Sequence, residues 1–178
     1  MRIAINCLNL KLLEPAGSDV YLINLLQNLA QVDKENDYYL IFTNDQQWPM
    51  KLLEIDNFNF KPIHIKHSFS TTHTNLAKHL FESKYDVFFT SYHTLPLIRP
   101  KKTKFVSMIH GLEYQTNYYE SSIFSTKGLF EWVTLSKSDR IIVASKYVKK
   151  SIEDKNWRGV DVHKIDVIHE GVSDMFYK

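Results

Sequence analysis

Short runs of residues that are apolar at every position recur along this chain, and few folds can accommodate them. Val87-Phe88-Phe89 and Ile141-Ile142-Val143 are two examples. Successive side chains of a strand point to opposite faces. A strand apolar on both must therefore be covered on both, as in a parallel sheet packed between helices. Short runs rich in apolar, β-branched and aromatic residues, several of them apolar on both faces, occupy residues 2–8, 38–43, 62–65, 86–90, 104–109, 140–144 and 165–169. Between them lie longer segments with helical spacing, at residues 20–32, 72–83, 121–136 and 145–156. The first carries Leu22, Leu25, Leu26 and Leu29 with polar Asn24, Gln27 and Asn28 between them. Ser18 and Asp19 are its expected N-terminal caps, and Ser145 opens the last helix in the same way. Strands alternating with helices predict a doubly wound, mostly parallel α/β sheet with helices on both faces. The chain has 178 residues, no internal repeat and no linker-like stretch, so residues 1–178 read as one domain with room for a real core.

Composition removes several classes of function. The net charge is +2, which gives no bulk basic field for nucleic acid. Basic residues cluster locally at Arg99, Lys101, Lys102 and Lys104, and again at Lys146, Lys149 and Lys150. They read as solvated loop and helix charges, with an anionic lipid surface as the alternative. The single cysteine, Cys7, lies in an apolar run and reads as a small core residue. The first residues lack the pattern of a signal peptide, and no stretch approaches the ~20 apolar residues that span a bilayer. The expected setting is cytoplasmic, with peripheral contact at the inner face of the membrane left open.

The five glycines form neither G-x-G-x-x-G nor a Walker A loop, against a dinucleotide dehydrogenase and a P-loop NTPase. No HExxH, CxxC or facing carboxylate pair is present, so neither a metal nor an organic cofactor is expected. His64 and His67 are three residues apart, which on a strand points them to opposite faces. His73, His79 and His163 read as surface residues.

Ligands of open α/β sheets sit beyond the carboxyl ends of the strands. The positions to weigh are therefore residues 13–19, 91–95, 110–113, 145–146 and 170–172. Gly17 and Ser18 lie where the first strand's loop enters a helix, whose N-terminus offers free N–H groups to a phosphate. His110 directly follows the run 104–109. It can meet a sugar hydroxyl or phosphate, exchange a proton, or simply be packed at the sheet edge. His93 follows the preceding strand in the same way. Tyr114, Tyr118 and Tyr119 come next, suited either to stacking on sugars or to covering a small core. The following segment, with Phe124, Phe130 and Trp132, reads as core rather than membrane-inserting.

Three stretches in order resemble a known family. The first is Met1-Arg2-Ile3-Ala4-Ile5-Asn6 with Gly17-Ser18-Asp19-Val20-Tyr21. The second is Asp86-Val87-Phe88-Phe89, Leu95-Pro96-Leu97 and Val106-Ser107-Met108-Ile109-His110-Gly111. The third is Ser138-Asp139-Arg140-Ile141-Ile142-Val143-Ala144-Ser145 with Lys164-Ile165-Asp166-Val167-Ile168-His169-Glu170-Gly171-Val172. Together they resemble the N-terminal, Rossmann-like, acceptor-side domain of the retaining, GT-B type glycosyltransferases of family 4.

That resemblance implies transfer of a hexose-type sugar from a nucleotide-sugar donor, with retention, to a glycan or lipid-linked acceptor. It implies a second, C-terminal domain holding most donor contacts and absent from this chain, so that the isolated chain would be inactive. By position, His110 matches the catalytic histidine facing the donor sugar. Gly17 and Ser18 match the loop near the donor diphosphate, and Ser145 and Lys146 match a cleft-lining turn. His93, Glu113 and Tyr114 are acceptor-side candidates, and residues 46–59 and 116–125 are where acceptor specificity is expected. The chain has Gly111 where many relatives carry Asp, and a loop poorer in glycine than theirs. Two other readings compete: a stand-alone α/β binding or scaffold module, and a fragment of a sugar-nucleotide epimerase.

Overall fold

The computed structural model describes residues 1–46, 55, 57, 59–68, 70–92, 95–112, 126–155 and 158–171. Seven strands form one sheet: β1 (Arg2–Asn6), β2 (Asp37–Thr43), β3 (Phe60–Ile65), β4 (Val87–Thr90), β5 (Lys104–Ile109), β6 (Arg140–Val143) and β7 (Ile165–Val167). Their order is β3-β2-β1-β4-β5-β6-β7. Every neighbouring pair is parallel. The helices are α1 (Gly17–Val32), α2 (Ala77–Ser83), α3 (Thr126–Lys137) and α4 (Lys146–Asp154). The doubly wound parallel sheet expected from the sequence is therefore present. Its direction of growth reverses between β1 and β4, and that switch point opens the crevice in which such sheets bind ligands.

The doubly apolar runs divide between two core layers. Ile5, Leu40, Phe42, Phe89 and Met108 pack with Leu22 and Leu26 of α1. Their neighbours in sequence, Ala4, Ile41 and Phe88, turn to the other face and, with Phe105, join Leu76 and Leu80. A third cluster joins Ile109, Ile141, Val143 and Ile165 to Leu135, Val148 and Ile152 of the last two helices. Fully burying an aromatic such as Phe88 or Phe105 stabilises by about 1.5–3 kcal/mol. Pro62 sits in β3, an edge strand, where its missing N–H is tolerated.

Some boundaries differ from expectation. α1 begins at Gly17 with Ala16 as N-cap, ahead of the caps expected at Ser18 and Asp19. Asp19 is the third residue of the helix, and its carboxylate reaches back to accept from the Ala16 N–H at 2.9 Å. The segment 72–83 opens with a π-helical turn, Thr72–Leu76, before α2. His79 and His73 are half-buried rather than surface residues. His79 Nε2 lies 2.9 Å from the Tyr85 hydroxyl, and the His73 ring stacks on Phe130 at 5.2 Å. Several basic residues are tied down: Arg99 and Lys104 pair with Asp139, and Lys149 Nζ donates to the Ile165 carbonyl at 3.0 Å. Among the described residues, no helix is long and apolar enough to cross a membrane.

Candidate active site

His110 is the first residue after β5, whose carboxyl end lies between those of β4 and β6. Met108 faces the layer under α1, so His110, two residues further on, turns to the same side. There the Tyr21 ring of α1 meets the imidazole edge-on, with centroids 4.9 Å apart and planes at 80°. The second constraint is Glu170, in the segment after β7, whose Oε1 lies 2.8 Å from His110 Nδ1. The imidazole is thus held from two directions. Its Nε2 is buried and has no hydrogen-bond partner among the described residues.

Glu170 reaches this position because the chain is pinned just before it. Ile168 N–H donates to the Val143 carbonyl at 3.0 Å, and His169 Nδ1 donates to the Ala144 carbonyl at 2.9 Å. These bonds carry the segment along the end of β6, from which Glu170 spans to the end of β5. Burial, and after it the negative charge of Glu170, raise the Tyr21 pKa above its ordinary value, so the phenol stays protonated.

Gly17 and Tyr21 are four residues apart on α1 and share one face, which sets the helix N-terminus beside His110. The first intrahelical bonds here are those of Asp19 and Val20, both to the Ala16 carbonyl. Gly17 and Ser18 therefore supply first-turn N–H groups, the kind that meets an anion. A Cβ built on Gly17 meets nothing within 4 Å, so the protein's own packing does not demand glycine there. The loop before it is held by Asp19, only 3% exposed, which accepts from Lys11 N–H at 3.3 Å and from the Tyr92 hydroxyl at 2.9 Å. Burial and the bond to Asp19 both push the Tyr92 pKa up.

Ser145 caps α4, its Oγ accepting from Val148 N–H at 3.2 Å. Lys146 follows as an exposed side chain in the first turn. Both sit at the end of β6, between His110 and the segment carrying Glu170. The fold thus gathers His110, Gly17, Ser18, Ser145 and Lys146 at one end of the sheet. His93, Glu113 and Tyr114 lie outside the described residues, as do Tyr118, Tyr119 and most of the two segments expected to set acceptor specificity. Sequence reasoning marked residues 170–172 as a strand end but gave Glu170 no role. It likewise passed over Ser91, 1% exposed just after β4, whose Oγ has no partner among the described residues. His64 and His67 take separate partners, the Thr43 carbonyl and Asp45. Among the described residues, no group of three His, Cys, Asp or Glu side chains could hold a metal ion.

The chain is similar to known proteins over nearly its whole length. The sequence profile of Glycosyltransferase Family 4 matches residues 15–175. No curated protein matches the chain. Among solved structures it is similar to the apo form of the lipopolysaccharide outer core galactosyltransferase WaaB, at 14% identity and a TM-score of 0.59. That match covers 97% of this chain and 46% of WaaB, so the chain spans less than half of that protein's length. A second similar structure is AviGT4, a glycosyltransferase involved in avilamycin A biosynthesis, at 10% identity and a TM-score of 0.40, covering 98% of this chain and 65% of that one. With a family profile spanning almost all of its length, and a parallel sheet like that of WaaB, the chain belongs to glycosyltransferase family 4.

Proposed function

We propose that this domain forms the acceptor-side half of a metal-independent, retaining GT-B glycosyltransferase that moves a hexose-type sugar from a nucleotide-sugar to a glycan or lipid-linked acceptor. The observation that carries the reading is the family match together with the position of His110. It stands at the end of a central strand, beside the N-terminus of α1, with a ring nitrogen that has no partner among the described residues. Tyr21 and Glu170 hold the ring, so little ordering remains when substrate arrives.

In this reading the first-turn N–H groups of Gly17 and Ser18 lie beside the donor's diphosphate. They stabilise the charge that grows there as the sugar leaves. Ser145 and Lys146 line the same opening, Lys146 adding a mobile positive charge. A second domain, joined after β7, supplies most donor contacts. Closure of the two halves excludes water, which would otherwise compete for the donor. The domain alone turns over little, and contact with the inner face of a membrane brings it to a lipid-linked acceptor.

The test uses the protein translated from the complete reading frame. It is incubated with a panel of nucleotide-sugars and candidate acceptors, following nucleoside diphosphate release and the anomeric configuration of the product. Acceptor-dependent release with a retained anomer supports the proposal. An inverted product removes the retaining mechanism. Binding with no turnover of any nucleotide-sugar favours a non-enzymatic binding module.

A further inference from the structure

We infer that Glu170 is a positioning residue that fixes the tautomer of His110 and leaves Nε2 of the imidazole as a hydrogen-bond acceptor. The inference rests on the transferase reading for the identity of the ligand, but its geometry stands without it. Glu170 Oε1 lies 2.8 Å from His110 Nδ1. A carboxylate has only acceptor oxygens, so the proton of that bond belongs to Nδ1. In a neutral imidazole carrying its proton on Nδ1, the lone pair is on Nε2.

That Nε2 is the atom found buried and unpartnered among the described residues. The Tyr21 ring packs edge-on against the imidazole, with centroids 4.9 Å apart. A bare ring nitrogen accepts a hydrogen bond. It suits a hydroxyl, which donates, and disfavours an unprotonated phosphate oxygen, which only accepts. The pair therefore favours a hydroxyl over a diphosphate oxygen as the group that His110 Nε2 takes. The bond spans 60 residues, from the end of β5 to the segment after β7, so it also makes the ring's state depend on how that segment is held.

The experiment is long-range ¹H–¹⁵N correlation spectroscopy of the histidine rings in the 178-residue chain at neutral pH. It compares wild type with Glu170→Ala and Glu170→Gln. Glu170 is 43% exposed at its side chain, so neither substitution opens the core, and backbone amide spectra check the fold. The expected result is a neutral His110 ring with its proton on Nδ1 in wild type. Glu170→Ala shifts the tautomer ratio at least ~10-fold toward the Nε2–H form, the size of effect that losing a hydrogen bond to a charged group produces. Glu170→Gln, which can still accept at Nδ1 but without the charge, gives a smaller shift. A proton resident on Nε2 in wild type overturns the proposal. So does a doubly protonated ring, or a ratio unmoved by Glu170→Ala. This readout needs no donor or acceptor. A full-length protein that turns over no nucleotide-sugar removes the transferase reading while leaving the tautomer result standing. Turnover with an unchanged tautomer ratio removes only the role of Glu170.

Discussion

The carboxylate of Asp139 accepts from the Phe105 N–H at 2.8 Å and from the Arg99 guanidinium, with Lys104 Nζ 3.6 Å away. It thereby ties the start of β6 to β5 and to the loop before it. Burial works to raise its pKa, but the bonds from Arg99 and Phe105 and the charges of Arg99 and Lys104 outweigh it and hold the group below the usual carboxylate range. A depressed folded pKa contributes stability in full above the unfolded value of about 3.9, and that contribution is lost as pH falls through the folded value. Asp139→Ala should therefore cost about 1–3 kcal/mol in urea denaturation at pH 7, because the buried Phe105 N–H loses its carboxylate. The cost should shrink progressively as pH falls below about 4, as the wild type loses the same interaction; an unchanged cost at low pH would contradict this account. At this scale the sequence was informative where chemistry is local. His110 could be found because it directly follows an apolar strand. Glu170 could not be assigned, because its partner is 60 residues away and the pairing depends on which strand ends lie side by side. The roles of His93, Glu113 and Tyr114 lie outside the described residues.

Two helix starts line the candidate site, and they respond differently to substitution. At α4 the cap is a side chain, Ser145 Oγ accepting from Val148 N–H. Ser145→Ala should lower stability by about 1 kcal/mol in thermal or urea unfolding. At α1 nothing among the described residues fills the space a Gly17 side chain would occupy. Gly17→Ala should leave stability unchanged or raise it by up to about 1 kcal/mol, since alanine restricts the unfolded chain. On the proposed function, in the protein translated from the complete reading frame, it should raise KM for a nucleotide-sugar about 10-fold, the worth of one good contact to a charged group. A loss of stability would show that packing holds the glycine. Unchanged stability with an unchanged KM would show that no ligand comes close to it. The strands were legible because an apolar run covered on both faces has no alternative placement. The starts of β3 and α1 were less so. Lys61 and Pro62 interrupt the apolar pattern on an edge strand. Asp19 looks like a cap from its position, yet acts from inside the first turn.

At the scale of the molecule, the sequence implied a parallel sheet but not its order. Order depends on where each crossover lands, and a run such as 104–109 would look the same in any central position. Once the order is known, the reversal between β1 and β4 locates the crevice, and His110, α1 and the segment carrying Glu170 converge beside it. The central claim is that His110 serves glycosyl transfer at this crevice rather than the stability of the sheet edge. The direct test is the turnover of a nucleotide-sugar by full-length wild-type protein and by His110→Ala, with thermal unfolding measured on both. The account predicts a kcat lower by about 10²-fold or more, with a thermal midpoint within about 3 °C of wild type. Wild-type turnover in His110→Ala would contradict it, as would a loss of activity that only follows a matching loss of stability.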